Sequence, residues 1–303
     1  MGNYRGGEGS THWYASPKTV EMGGAEYAGQ PIEKVPGAKA GTWVNATTPH
    51  AIRWHLAPGV TGVLGYYAKN ALIDWAAKAA AVGAVVGPAG EVDSSGSLAA
   101  QLFRGELQLK DFQEKCLDAK DAVVKKSTDR GTLIHKALEQ AYLGEAYDPV
   151  FAPWVTTVQE RLRSHYPGVI EWVPERPFWH KSGFGGRTDL VGHGAKGEIV
   201  IVDFKTRDFQ PKDIDEAVRK RASGFKGEGR LTPRETEPMQ LVANLIGHGG
   251  VVDGEVSNLY VDRTLPICHL RPYSAEEQAK ALTCFNALLT IFKTQRGITG
   301  GAE

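Results

Sequence analysis

The alternation of apolar and polar positions is clearest between residues 183 and 206. Residues 199–204 (Ile-Val-Ile-Val-Asp-Phe) form an almost unbroken apolar and β-branched run, which suits a strand buried on both faces. A glycine-rich turn joins it to a preceding strand that carries Gly-Gly-Arg-Thr-Asp. Side chains alternate along a strand, so Asp203 and Lys205 share one face while Val202 and Phe204 share the other. The same parity groups Arg187 with Asp189. With the turn centred near Lys196, a symmetric hairpin sets Asp189 directly opposite Asp203, their Cβ atoms about 4.5–5.5 Å apart.

The remaining pattern supplies the partners of this hairpin. Residues 1–48 are rich in Gly, Ser, Thr and Pro with no sustained period, which predicts an irregular arm with at most a short hairpin. Trp13, Tyr14, Tyr27 and Trp43 in this arm either stack on bases or pack against the body, and packing is the simpler reading. Helical spacing is expected over 66–82, with Leu72, Trp75, Ala76 and Ala79 on one side, and a Gly/Pro/Ser break follows at 83–96. Residues 97–120 read as mostly helical.

A further helix is expected over 129–142, with Ile134, Leu138 and Ala141 facing the core. Gly131, His135 and Glu139 fall at i, i+4 and i+8 along a different stripe. Glycine costs about 1 kcal/mol relative to alanine inside a helix, so Gly131 marks either a close approach to the backbone or the start of the helix. Residues 152–164 predict another helix and 169–177 a strand leading into the hairpin. Beyond the hairpin, 237–246 reads as a helix carrying Gln240, and 256–261 and 267–271 as two strands. Ser274 followed by Glu277 has the capping-box form. The closing helix, to about residue 293, is expected to bury Ala281, Phe285, Leu288, Leu289 and Phe292. The sum is one α/β domain, a central mixed sheet of four or five strands flanked by helices. Its divisions are an irregular arm at 1–56, a body at 57–296 and a short tail at 297–303.

Composition changes this picture little. Hydrophobic residues at 42% and charged residues at 23% exclude wholesale disorder. Lys+Arg and Asp+Glu both number 35, which argues against a large duplex-coating surface but permits a local basic groove. Such a groove is suggested between residues 205 and 234, where nine basic residues stand against five acidic ones. The glycines at 224–229 give this stretch a loop, and a basic segment beside paired carboxylates suits a polyanion such as nucleic acid. Three widely spaced cysteines, Cys116, Cys268 and Cys284, match no zinc pattern or disulfide framework, which fits a reducing cytoplasm. No apolar run approaches the ~18–20 residues needed to span a bilayer. Glu8 and Glu21 do not suit a transit peptide.

The paired acids carry the candidate chemistry. Two carboxylates held close inside a sheet repel and lose hydration unless a cation sits between them. A hard divalent ion with oxygen ligands answers that need, bordered by Lys205.

Taken in order, Gly-x-x-x-His-x-x-x-Glu on a helix, a Gly-Gly-Arg-Thr-Asp strand, a buried strand ending Asp-Phe-Lys-Thr and a helix with Gln240 resemble the PD-(D/E)XK nuclease superfamily, in particular its RecB-like exonuclease branch. Residues 58–64 (Pro-Gly-Val-Thr-Gly-Val-Leu), followed by Trp75, look like the opening segment of phage nucleases related to mitochondrial genome maintenance exonuclease. The resemblance covers about 57–293.

The resemblance implies a restriction-endonuclease-like core, with Asp189 as the Asp of the PD element and Asp203 and Lys205 as the D/E-x-K element. It also implies a metal set of His135, Asp189, Asp203 and the backbone carbonyl of Phe204. Asn244 replaces the tyrosine that would follow Gln240 in the family pattern. On this reading Mg²⁺ or Mn²⁺, as one or two ions, is the cofactor, and His135 tilts preference toward Mn²⁺. Lys205 should have a lowered pKa beside the ions and positions water or stabilises charge. Glu139 binds a metal water or orients His135.

DNA contacts are expected from Arg187, Thr206, Arg207, Arg219, Lys220, Arg221, Lys226 and Arg230. Relatives with an iron–sulfur cluster use four cysteines, so none is expected here. The implied activity is a metal-dependent deoxyribonuclease acting on DNA ends or single strands. The alternatives are an endonuclease on the same core and a non-catalytic DNA-binding component. The compartment is the cytoplasm, the host's if phage-encoded. Oligomeric state is open.

Overall fold

The computed structural model describes residues 12–40, 42–65, 98–106, 108–224, 227–252 and 254–298. The helix expected at 66–82, the break at 83–96 and Lys226 lie outside these residues. By contacts the chain divides into two compact units, residues 68–134 and the combination of 1–67 with 135–303. The described part of the first comprises α4 (Leu98–Phe103) and most of α5 (Leu109–Leu143). The two helices expected at 97–120 and 129–142 are thus largely one 35-residue helix. Gly131 lies inside it rather than at its start.

The second unit begins with short elements: β1 (Trp13–Tyr14), α1 (Pro17–Glu21), β2 (Pro31–Ile32), β3 (Lys34–Pro36), β4 (Trp43–Asn45), α2 (Thr48–Trp54), β5 (Ala57–Pro58) and α3 (Val60–Leu64). After the end of α5 come α6 (Ala152–His165), β6 (Val169–His180), β7 (Phe184–Gly194), β8 (Ile199–Arg207) and α7 (Pro211–Ala222). The chain closes with α8 (Thr236–Gly247), β9 (Glu255–Asp262), β10 (Cys268–Pro272) and α9 (Ala275–Arg296). Among the described residues, no helix is long and apolar enough to cross a membrane.

A five-stranded mixed sheet organises this unit, as the pattern predicts, in the order β10-β9-β8-β7-β6. All neighbours are antiparallel except β8 and β9. Parallel neighbours need a crossover connection, and here the crossover carries α7 and α8. Helix α7 was not expected from the charged sequence. Its signals are Pro211 in the first turn, Asp213 accepting from the Gln210 amide at 2.8 Å, and Ala217 buried on the inward side.

Helix α8 buries Met239, Leu241, Val242, Ala243 and Leu245, and Leu241 and Leu245 meet Val191, Ile201 and Val256 from three strands. Ser274 caps α9 through the expected box with Glu277. The inward residues are Ala281, Phe285, Leu289 and Phe292, with Leu288 partly buried.

The arm shares this core. Trp13, Val35, Ala51, Leu56 and Val63 pack in one cluster with Phe184, Phe285 and Phe292. Gly59 bridges to Gly185 at the start of β7. A Cβ on Gly185 would lie 2.6 Å from the Tyr14 Cβ, so only glycine lets the arm lie against the strand that leads to Asp189. Packing is therefore what Trp13 and Tyr14 do, at 2% and 7% exposure.

Candidate active site

The β7–β8 hairpin has the register expected from its sequence, Leu190↔Val202 through His193↔Ile199. The next position sets Asp189 across from Asp203, but the backbone ladder stops one pair short. The strands part there, and the Phe204 amide donates to Asp189 Oδ2 at 2.9 Å. A side chain has replaced the backbone acceptor at the point where the sheet opens.

That opening is reached from both faces. On the face shared by Ile201, Asp203 and Lys205, the Lys205 ammonium lies 2.5 Å from Asp203 Oδ2 and donates to Gln240 Oε1 at 3.1 Å. On the other, the His135 ring packs edge-on against Phe204, with centroids 6.0 Å apart. His135 Nδ1 is 3.8 Å from Asp189 Oδ2. The resemblance-derived residues His135, Asp189, Asp203, Lys205 and Gln240 are thus neighbours, although they lie on a helix, two strands and the crossover.

Three further residues belong to the arrangement and were missed in the sequence. Asn258 faces Asp203 in the parallel register and donates to its Oδ2 at 3.1 Å. Tyr273 in turn donates to Asn258 Oδ1 at 2.6 Å. Glu175 is the third. Strand β6 passes from Pro174↔Leu190 to Arg176↔Thr188, which sets Glu175 beside Asp189. It sits in the left-handed region at φ 50°, an unfavourable conformation for a residue with a side chain. Its carboxylate pairs with Arg187 at 2.5 Å.

The DNA-contact candidates separate by their partners. Arg187 is exposed beside the acids. Arg207 lies over the Tyr260 ring and bonds to Glu237 at 2.5 Å and to the Thr232 carbonyl at 2.8 Å. Lys220 pairs with Glu216 at 2.5 Å, and Arg221 with Glu277 at 3.8 Å. Arg219 and Arg230 are exposed, and Thr206 is half-buried.

Burial and crowding set the charge states. Burial raises Asp203 to about 6, opposed by Lys205 and reinforced by Asp189. Burial also raises Asp189, against the pull of Lys205. Glu175 is pushed up to about 7 by burial and then by Asp189. His135 is lowered by burial, which leaves a neutral imidazole near neutral pH. For Lys205 the expected lowering belongs to the state with ions bound, and without them the balance is different. Burial pulls it down, but Asp203 and Asp189 together outweigh that, and the net direction is up.

Among the described residues, no three His, Cys, Asp or Glu side chains are already gathered as a set to hold a metal ion. Asp203 is turned instead to Lys205 and Asn258. The donor chemistry still fits a divalent cation. Two carboxylates with raised pKa values and a neutral imidazole would each gain from one.

Raised carboxylates make a measurable prediction. Asp203 and Glu175 bind protons more tightly folded than unfolded, so their contribution to stability is lost as pH rises from about 4 through 6 and 7. His248 and His269, both lowered to about 4 by burial, act in the opposite sense over nearly the same range. A difference between variants isolates the acid. Glu175→Gln should raise the melting temperature at pH 8 by about 2–4 °C, the shift expected from ~1 kcal/mol in a large domain, and leave it unchanged at pH 4.5. Equal shifts at both pH values would contradict this account.

A cleft of about 700 Å³ opens at this end of the sheet, lined by Glu175, Arg187, Asp189 and Gln240 together with arm residues that include Trp13, Tyr14, Asn45 and Thr47. No protein-family model matches the chain. No curated protein matches it either. Among solved structures, the chain is similar to an alkaline exonuclease (LHK-Exo) from Laribacter hongkongensis. That match has 16% identity, covers 47% of this chain and 68% of the other, and has a TM-score of 0.27. It is also similar to SSO0001, at 13% identity over 54% of this chain and 87% of the other, with a TM-score of 0.23.

Proposed function

We propose that the chain is a divalent-metal-dependent DNA nuclease, an exonuclease that hydrolyses phosphodiester bonds at DNA ends or in single strands during phage recombination, replication or DNA processing. The observation that carries this reading is the convergence of Asp189, Asp203, Lys205, Gln240 and His135 where β7 and β8 part, at the end of a cleft. The sequence resemblance to PD-(D/E)XK nucleases supports it independently.

In this reading Asp189, Asp203, His135 and the Phe204 carbonyl would hold Mg²⁺ or Mn²⁺. Such an ion supplies an activated water and offsets charge on the phosphate. The chain's own groups do the rest. Lys205 stays an ammonium between Asp203 and Gln240 and stabilises the charge that builds on the phosphate oxygens. Gln240 fixes the direction of that ammonium. Arg187 holds a phosphate once it exchanges Glu175 for substrate. Glu139, one turn beyond His135, orients the water or the histidine.

The test uses purified protein with end-labelled linear and closed circular DNA, with Mg²⁺ or Mn²⁺ present. Loss of the linear DNA with the circle spared is the expected result. Nicking or linearisation of the circle would replace exonuclease by endonuclease, and no cleavage of either would overturn the reading.

A further inference from the structure

The arm treats its aromatic residues in two ways. Trp13 and Tyr14 are consumed by packing, whereas Tyr27 is 51% exposed and Trp43 is 66% exposed. The second of these exposed rings lies on a strand that reaches the cleft. Trp43 opens β4, which pairs with β3 through Pro36↔Trp43, Val35↔Val44 and Lys34↔Asn45. Residues two apart on a strand project to the same face. Trp43 therefore shares a face with Asn45, and Asn45 lines the cleft. Val35, at the intervening position of the register, turns the other way into the core at 3% exposure. The hairpin presents one edge of its outer face to the cleft and an indole at the other end of that face.

The cleft also limits what enters it. A volume of about 700 Å³ lies within the range of pockets that enclose a single small ligand, roughly 300–1,000 Å³. One or two nucleotides of a single strand fit such a volume. The lining sets Arg187, paired with Glu175, and Arg296 among the acids Glu33 and Asp189, and an exposed indole on the hairpin that reaches such a cleft is a surface on which a base of a single strand can stack.

We propose that Trp43 is a stacking platform for a base of single-stranded DNA whose backbone runs through the cleft toward Asp189, so that the arm, rather than the sheet, confers preference for single strands. This rests on the nuclease reading of the cleft. It makes Trp43 a binding residue, with no part in bond cleavage.

Binding is measured by fluorescence anisotropy with a labelled 12-nucleotide single strand and the matching duplex, in EDTA so that no cleavage intervenes. Trp43→Ala should weaken single-strand binding about tenfold or more, with Trp43→Phe keeping most of the affinity and the melting temperature unchanged. Tyr27→Ala, which removes an exposed aromatic of the arm outside the β3–β4 hairpin, should leave the affinity as it was. Unchanged single-strand affinity in Trp43→Ala, or an equal loss in Tyr27→Ala or on the duplex, would overturn the proposal. Because the measurement needs no turnover, it separates the two readings. A protein that cleaves DNA but binds without Trp43 refutes this inference alone. One that binds through Trp43 but never cleaves refutes the nuclease reading alone.

Discussion

Lys205→Ala should lower DNA cleavage by about 10²–10⁴-fold, the range associated with a positioned catalytic group, while leaving the chain able to bind a divalent ion. The argument rests on the position of the ammonium. It lies 2.5 Å from Asp203 and 3.1 Å from Gln240, on the strand face that looks into the opening of the sheet. The variant also removes the charge that most opposes the rise in the Asp203 pKa. Its carboxylate should then be harder to ionise, and Mn²⁺, which takes the place of the lost cation, should still bind. Calorimetry with Mn²⁺ alongside a cleavage assay distinguishes loss of catalysis from loss of the site. Wild-type cleavage by Lys205→Ala would remove the central role given to this residue. Loss of both metal binding and cooperative unfolding would mean that the lysine is structural.

Glu237→Ala is expected to cause the largest loss of stability, about 3–5 kcal/mol, as when one partner of a buried ion pair is removed. Glu237 accepts from Arg207 at 2.5 Å and from the Tyr260 hydroxyl at 2.6 Å, and it is buried. Arg207 also stacks over the Tyr260 ring, so one substitution strands a guanidinium and a hydroxyl together. Glu237 lies one turn before Gln240 on α8, and its loss should loosen the helix that aims Lys205. Urea denaturation gives the stability directly. Glu237→Gln, which keeps an acceptor for Tyr260 but not the charge, should fall between wild type and the alanine variant. A change under about 1 kcal/mol for Glu237→Ala would show that water already serves both partners.

Much of this was legible in the sequence because it depended on local rules. The parity of residues 199–205 and the glycine turn were enough for the hairpin register, and Ser274 with Glu277 marked the start of α9. What escaped depended on distant neighbours. Nothing local says that the ladder stops at Leu190↔Val202, because that depends on a carboxylate competing for the Phe204 amide. Glu175 looked like an ordinary polar strand residue between Pro174 and Pro177, and its left-handed backbone has no sequence signature.

Asn258 and its strand neighbours did leave a trace. Asn258, Tyr260 and Asp262 alternate through a strand whose other residues after Glu255 are apolar or small, and all three are buried. That period-two polar series is the mark of a strand facing a charged network. Helix α7 was obscured by its charge, since the basic residues drew attention to binding rather than to the Pro211 and Ala217 spacing. Arg207 shows the cost of that emphasis. A count of positive charge cannot tell a cation awaiting a phosphate from one already locked to Glu237.

The parallel pairing of β8 with β9 has a consequence in time. Asp203 and Asn258 are separated by 55 residues, and contacts across so long a loop form late because its closure entropy must first be overcome. The hairpin of β7 and β8 can form early, since its strands are adjacent in the chain. Its acids then remain open to water until the crossover has docked and β9 has zipped alongside. Only at that step are Lys205 and Gln240 brought together and Asp203 sealed from solvent. A chain still emerging or half-folded therefore holds Asp189, Asp203 and Lys205 in an unassembled order, and the topology itself acts as the timer.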